Sequence, residues 1–338
     1  MMQIPSEQSD GPAAIGDGAT ADDAISDSAA GDGRPDCARP WRNGPPVRIL
    51  SIGVAEPGSA SGTHADLQIA GAMRAYAAAV TSSVAIPSPL GPPDDPGQAP
   101  VRGDQSREHQ SRGGTAERVD IAADFLGRQL LSALGEVQPQ AIKVGLLPLS
   151  ASVDSVVDIL MAEAPRIPKV VDAVCVGRDG LPLVEPDVVA HLKRRLIVGA
   201  DVLVARIADA EVLAGMSINT LEDKRHAALM LRTIGAETVV LVEPAALGDR
   251  VADYVAGPGR DDQGDIEEVM DYPRPSGWHV RGVSGAMATA TAIGLARGLP
   301  AVEAVALARR YVAETIRLAR STGPNCGEIM VCPPYFPA

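Results

Sequence analysis

The chain has 338 residues, 46% of them hydrophobic and 22% charged, which is enough apolar material for one large core in a soluble α/β or α-helical protein. A formal net charge of −13 disfavours a broad nucleic-acid or anionic-membrane surface, because phosphates would be repelled from most approach directions. Four cysteines, Cys37, Cys175, Cys326 and Cys332, are too few and too irregularly spaced for a disulfide framework or a zinc site, and no apolar run or leader-like N-terminus points away from the cytoplasm.

Residues 1–46 are rich in Gly, Ala, Ser and Asp and carry few bulky apolar side chains, so they are expected to form a disordered acidic tail before a domain spanning 47–338. The domain opens with VRILSIGV, an apolar, partly β-branched run of the kind that makes a buried first strand. A segment from Pro87 to Arg118, full of proline, glycine and mixed charge, is expected to be a flexible insertion. After it, ERVDIAADFLGRQLLSAL predicts a helix and AIKVGLL a strand. SVDSVVDILMAEA, EPDVVAHLKRRLI and LEDKRHAALMLRTIG predict further helices, separated by the strands KVVDAVCV, ADVLVA and TVVLVE. SGAMATATAIGLARG and PAVEAVALARRYVAETIRLAR close the chain as two helices. Short apolar strands alternating with helices imply a mainly parallel sheet between helix layers, with ligands bound at the carboxyl ends of the strands. No internal repeat and no glycine-lysine phosphate loop is present. His64 and His279 lack partners at metal-ligand spacing, so no metal site is assigned.

The loops after the strands, read in order, carry a resemblance. They comprise RILSIGVAEPGSASGTHADLQ, FLGRQL, AIKVGLL, VVDAVCVGRDGLPLVEPDVV, ADVLVARIADAEVLAG and GLARGLPAVEAVALARRYV. From about Val47 to Cys326 the chain resembles the hydroxymethylpyrimidine and phosphomethylpyrimidine kinases of thiamine biosynthesis, within the ribokinase-like superfamily. The resemblance implies a three-layer α/β/α, Rossmann-like domain. It also implies ATP and Mg²⁺ over the C-terminal strand ends, a small pyrimidine alcohol or its phosphate deeper in the cleft, and an anion hole at a helix N-terminus.

Several positions depart from the family pattern. Where the family places a thiol or carboxylate, the turn reads Gly282, Val283, Ser284, Gly285, so Gly285 stands at the position of the base. Ser284 is expected to cap the following helix and is a weak substitute for the missing group. In the nucleotide and phosphate region, Glu243 replaces a lysine, Pro244 removes a backbone donor, and Arg206 and Asp209 stand in an N-x-x-E loop. In the substrate pocket the corresponding positions are Gly53, Glu56, Ile86, Leu146 and Val174; Glu56 replaces an aspartate, Ile86 a glutamine and Leu146 a methionine. Gly53, Asp66, Lys143, Gly145, Asp172 and Gly282 are retained and are accounted for by the fold alone.

These departures point first to a kinase-like protein with impaired catalysis that keeps the fold as a binding or regulatory module. An active ATP-dependent kinase of hydroxymethylpyrimidine or its phosphate, and a binder of another small metabolite in the same cleft, are the alternatives. No cofactor is assigned unless phosphoryl transfer is retained, in which case ATP and Mg²⁺ are required. The expected partners are a small molecule or nucleotide in the cleft and a second copy of the chain or an active kinase relative, with neither nucleic acid nor membrane.

Overall fold

The computed structural model describes residues 45–58, 60–87, 115–177, 180–243, 250–259, 264–273 and 282–318. The expected tail up to residue 44, most of the expected insertion, Ser59, Pro244, His279, the C-terminal segment from 319 onward and three of the four cysteines lie outside them. Among the described residues, no helix is long and apolar enough to cross a membrane.

Nine strands form one sheet in the order β3-β2-β1-β4-β5-β6-β7-β8-β9. Their spans are β1 Arg48–Ala55, β2 Tyr76–Pro87, β3 Thr115–Asp120, β4 Ala141–Val144, β5 Lys169–Ala173, β6 Val202–Arg206, β7 Thr238–Val242, β8 Arg250–Pro258 and β9 Asp265–Pro273. From β2 through β7 neighbouring strands run parallel, whereas β3 at one edge and β8 and β9 at the other are antiparallel. The parallel strands read as continuous apolar runs because helices cover both of their faces.

Alternation along each strand sorts side chains into two cores. Leu50, Ile52, Ile142, Val144, Leu203 and Leu241 face one layer, made by α2 Ala123–Val137, α3 Ser150–Glu163, α4 Pro186–His191, α5 Ile207–Ala214 and α6 Leu221–Ile234. Ile49, Val170, Val202, Val204, Val240 and Val242 face the other, made by α1 Gly62–Ala72, α7 Val283–Ala296 and α8 Ala301–Leu318. The alanines and threonines of α7 keep it thin enough to lie buried between sheet and α8. A Cβ on Gly294 would stand 2.7 Å from the Cβ of Ala304, so the two helices touch backbone to backbone there.

The edges depart from the sequence expectation. Thr115–Arg118, placed in the insertion, begin β3, and the helix expected from Glu117 starts at Ala123. Val84 pairs with Val119 across the antiparallel β2–β3 contact, which overrides the helical reading of ERVD. His64 lies in α1 with its Nδ1 2.8 Å from the Glu56 carbonyl oxygen. Arginines of α6 reach across to β9, Arg225 to Glu267 at 2.8 Å and Arg232 to Asp265 at 2.6 Å. These exposed pairs are screened by solvent and contribute little to stability.

Candidate functional site

The parallel register brings the carboxyl ends of β1, β2, β4, β5, β6 and β7 to one edge of the sheet. Glu56, Ile86, Leu146, Val174, Arg206 and Glu243 therefore share that edge, although they are scattered in sequence. The first turn of α7 closes over it. Gly282 is the N-cap with φ of +77°, and a Cβ there would fall 2.1 Å from the Ala60 carbonyl oxygen, so only glycine fits. This corrects the expectation for Ser284, which lies buried inside the first turn and is not the cap. Gly285 is half-buried, and a Cβ on it would meet one neighbour within 4 Å, the Asp172 Oδ2 at 3.5 Å.

That neighbour belongs to a buried polar cluster joining β1, β4, β5, α1 and α7. Asp66 accepts hydrogen bonds from Ser51 Oγ at 2.5 Å, Lys143 Nζ at 2.9 Å and Thr289 Oγ1 at 2.6 Å. Asp172 is served less well. Its Oδ2 is 3.8 Å from Lys143 Nζ, and its buried Oδ1 has no hydrogen-bond partner among the described residues. Burial pushes the Asp172 carboxyl above the usual carboxylate range, opposed by Lys143 and reinforced by Asp66 and Asp209. Burial also weakens the charge on Lys143, but Asp66 and Asp172 more than offset it and hold the ammonium above its usual value. Lys143 donates to Asp66 at 2.9 Å and stands farther from Asp172, at 3.8 Å. From sequence these residues read as fold-keeping positions. The signal that marks them is a lysine and an aspartate inside apolar strand runs, where a charge requires a partner.

On the phosphate side, the charges are already paired. Arg206, the last residue of β6, donates from Nε to Asp209 Oδ2 at 2.6 Å, from Nη2 to Asp209 Oδ1 at 3.0 Å, and also to the Val176 carbonyl oxygen. Asp209, wholly buried, also accepts from the backbone N–H groups of Cys175 at 2.7 Å and Val176 at 2.9 Å. It thus ties the β5 loop to α5, and its oxygens are taken. Burial, followed by the neighbouring Asp209 charge, pushes the Cys175 thiol up to about 12, so it is an inert core group. Glu243 at the end of β7 accepts from Lys224 Nζ at 3.1 Å and from the Ala252 N–H at 2.7 Å. Both cations are held by acids; Asp209 is wholly buried, whereas Glu243, with one hydrogen bond on each oxygen and 34% of its side chain exposed, keeps lone pairs for a hydrated cation. Among the described residues, a magnesium–triphosphate group would meet cations that are already paired, Arg206 with Asp209 and Lys224 with Glu243.

The expected pocket residues divide. Glu56 turns back on its own loop, where its Oε1 accepts from the N–H and the hydroxyl of Ser61 at 2.7 Å each. Ile86 stands on β2 and is 53% exposed, so it lines an open rim. Leu146 and Val174 are half-buried beside the cleft, Leu146 with its carbonyl oxygen held by Ser82 Oγ at 2.8 Å. Gly53 brings β1 against Gly145, whose Cα would lie 3.7 Å from an added Cβ.

The chain is 26% identical over 286 residues to the hydroxymethylpyrimidine/phosphomethylpyrimidine kinase of Mycobacterium leprae, covering 84% of this chain and 93% of that one. It is 32% identical over 220 residues to the enzyme of the same name from Synechococcus elongatus, covering 65% of this chain and 81% of the relative. Among solved structures, it matches a Bacillus subtilis pyridoxal kinase in an ADP complex with a TM-score of 0.69 at 18% identity, over 85% of this chain and 97% of the other. It also matches a phosphomethylpyrimidine kinase of Clostridium difficile with a TM-score of 0.62 at 20% identity, over 80% and 99% of the two chains. These neighbours give the fold as ribokinase-like. The phosphomethylpyrimidine kinase family model matches residues 108–330, and the chain belongs to that family.

Proposed function

We propose that this chain is a hydroxymethylpyrimidine/phosphomethylpyrimidine kinase-like protein that keeps the family cleft for binding a small molecule and has impaired phosphoryl transfer. The observation that carries this reading is the internal pairing of the phosphate-side charges, Arg206 with Asp209 and Lys224 with Glu243. Phosphoryl transfer rests on positioned cations and a proton acceptor near the attacking oxygen. Here the cations are engaged by acids, and residue 285 has no side chain. The protein then acts in the cytoplasm as a binding or regulatory module, alone, as a homodimer or beside an active relative.

A second reading, an active ATP-dependent kinase, is favoured by one observation. The Asp172 carboxylate approaches the place where a side chain on residue 285 would begin. Calorimetry with MgATP, followed by a coupled assay with hydroxymethylpyrimidine and its phosphate, separates the two. Impaired transfer predicts turnover far below an ordinary kinase rate of about 1 to 100 per second, and turnover within that range overturns it.

A further inference from the structure

Beyond its last pair with β1, Ala55–Val84, β2 runs on against β3, and alternation along the two strands separates two faces. Ala85 and its opposite neighbour Arg118 form one face, which turns toward the loop after β5. Ala85 is buried, and Arg118 Nη1 donates to the Leu183 carbonyl oxygen at 3.1 Å. Val84, Ile86 and Val119 form the other face. They are 50%, 53% and 64% exposed, three aliphatic side chains side by side at the strand-end edge that also carries Glu56 and Leu146.

The polar side chains around this wall are engaged within the protein. Glu56 Oε1 accepts from Ser61, and Ser82 Oγ donates to the Leu146 carbonyl oxygen. The Gln129 amide is occupied by the N–H and the carbonyl oxygen of Thr81, at 3.3 Å each, and Arg118 is shared between Asp120 and Leu183. Ser83, whose hydroxyl has no partner among the described residues, is wholly buried on the Ala85 face. A ligand edge laid on Val84 and Ile86 therefore gains aliphatic contact, while these side chains offer it neither donor nor acceptor. A ring nitrogen or amino group there is stripped of water without replacement, whereas a hydrocarbon edge loses nothing of the kind and buries apolar area. We propose that Val84, Ile86 and Val119 form an apolar subsite that selects cleft ligands with a hydrocarbon edge, with Ile86 setting the selection. This rests on the reading of the cleft as a small-molecule site and names the class of ligand it takes.

The test uses the full chain and two probes of one outline, each titrated calorimetrically. They are hydroxymethylpyrimidine and the dimethylbenzyl alcohol that replaces its ring nitrogens by CH and its amino group by methyl. The wild type is expected to bind the hydrocarbon probe more tightly. Because apolar probes bind many surfaces, the deciding quantity is the ratio of the two affinities across variants. Ile86→Gln, which places an amide at an exposed position, should lower that ratio by about tenfold, the value of one hydrogen bond gained by the pyrimidine. Ile86→Val should keep most of it. Val198→Gln, at a 52% exposed position in the turn before β6 at the opposite edge, should leave it unchanged. Sedimentation of the same variants tests the other occupant of the wall: a wild-type dimer that Ile86→Gln dissociates would mean that a second copy covers these residues, and overturns the proposal. A ratio that Ile86→Gln leaves unchanged, or one that Val198→Gln lowers equally, also overturns it. Tighter binding of the pyrimidine by the wild type overturns the subsite alone, whereas binding of neither probe overturns it together with the small-molecule reading.

Discussion

Replacing Lys143 with methionine withdraws the ammonium that lies 2.9 Å from Asp66 and 3.8 Å from Asp172 in a site almost closed to water. At an effective dielectric of about 20, each of these contacts is a gross attraction on the order of 5 kcal/mol. Most of that offsets the desolvation of the three groups, so the attraction itself is not the expected loss. The loss comes from what stays behind: two carboxyls within one cluster, served only by Ser51 and Thr289 on Asp66. Breaking a buried pair from one side costs about 3 to 5 kcal/mol, and that is the expected destabilisation at neutral pH. Urea unfolding followed by circular dichroism measures it as a lower midpoint at unchanged slope. Adding Asp66→Asn to Lys143→Met should return part of the loss, because one stranded charge is then gone. If Lys143→Met unfolds within about 1 kcal/mol of the wild type, the ammonium is not the counter-charge of this cluster and the account of it is wrong.

Asp172→Asn should act in the opposite direction. Because the folded-state carboxyl is raised above its ordinary 3.8, the native state holds the proton more tightly than the unfolded state. The wild type therefore loses stability relative to the variant as pH rises from that value through the raised one. Paired urea midpoints should show the gap widening as pH rises through this window, and a constant gap refutes the shift. Asp209→Ala releases the N–H groups of Cys175 and Val176 and strands Arg206, so a cost of about 3 kcal/mol is expected in the same assay. A silent substitution would mean that Asp209 is free for another task. Gly294→Ala should destabilise by about 1 to 3 kcal/mol despite better helix propensity, since its Cβ would lie 2.8 Å from the Ala304 Cα; a raised melting temperature would contradict the close α7–α8 packing. Glu243→Lys combined with Gly285→Cys should raise nucleotide affinity or activity in calorimetry and the coupled assay, and a gain in neither means that these loops are misaligned with those of the family.

The central strands were legible in the sequence because burial on both faces writes a parallel strand as an apolar run; AIKVGLL and TVVLVE are of this kind. The flanking strands were not. β2 reads YAAAVTSSVAIP, a mixture of small and polar residues, and β9 reads DIEEVMDYP, whose acids satisfy an open edge and not a core. β3 has no apolar run of its own, and its place is set by pairing with β2, a tertiary constraint that overrides local preference. For the site, the loops at the strand ends were legible in order. The partners of their charges were not, because the pairing of Glu243 with Lys224 or of Arg206 with the Val176 carbonyl oxygen depends on how helices and loops fold over the edge. Lys143 and Asp172 meet because the sheet order sets β4 beside β5, and Asp66 reaches Lys143 from α1, which no local spacing expresses.

The two cation–acid pairs at the ends of β6 and β7 differ in how readily they open. Lys224 faces a Glu243 side chain that is 34% exposed, so separating them costs about 1 kcal/mol or less, and either can turn to water. Arg206 is bound to an aspartate with no exposed surface, one that two backbone N–H groups also require. Drawing that arginine toward a phosphate would leave Asp209 buried and short of a counter-charge, at a cost of about 3 to 5 kcal/mol. That cancels much of what the new contact supplies. Of these two described pairs, Lys224 is therefore the cation that a polyanion recruits more readily, beside an acid that repels it.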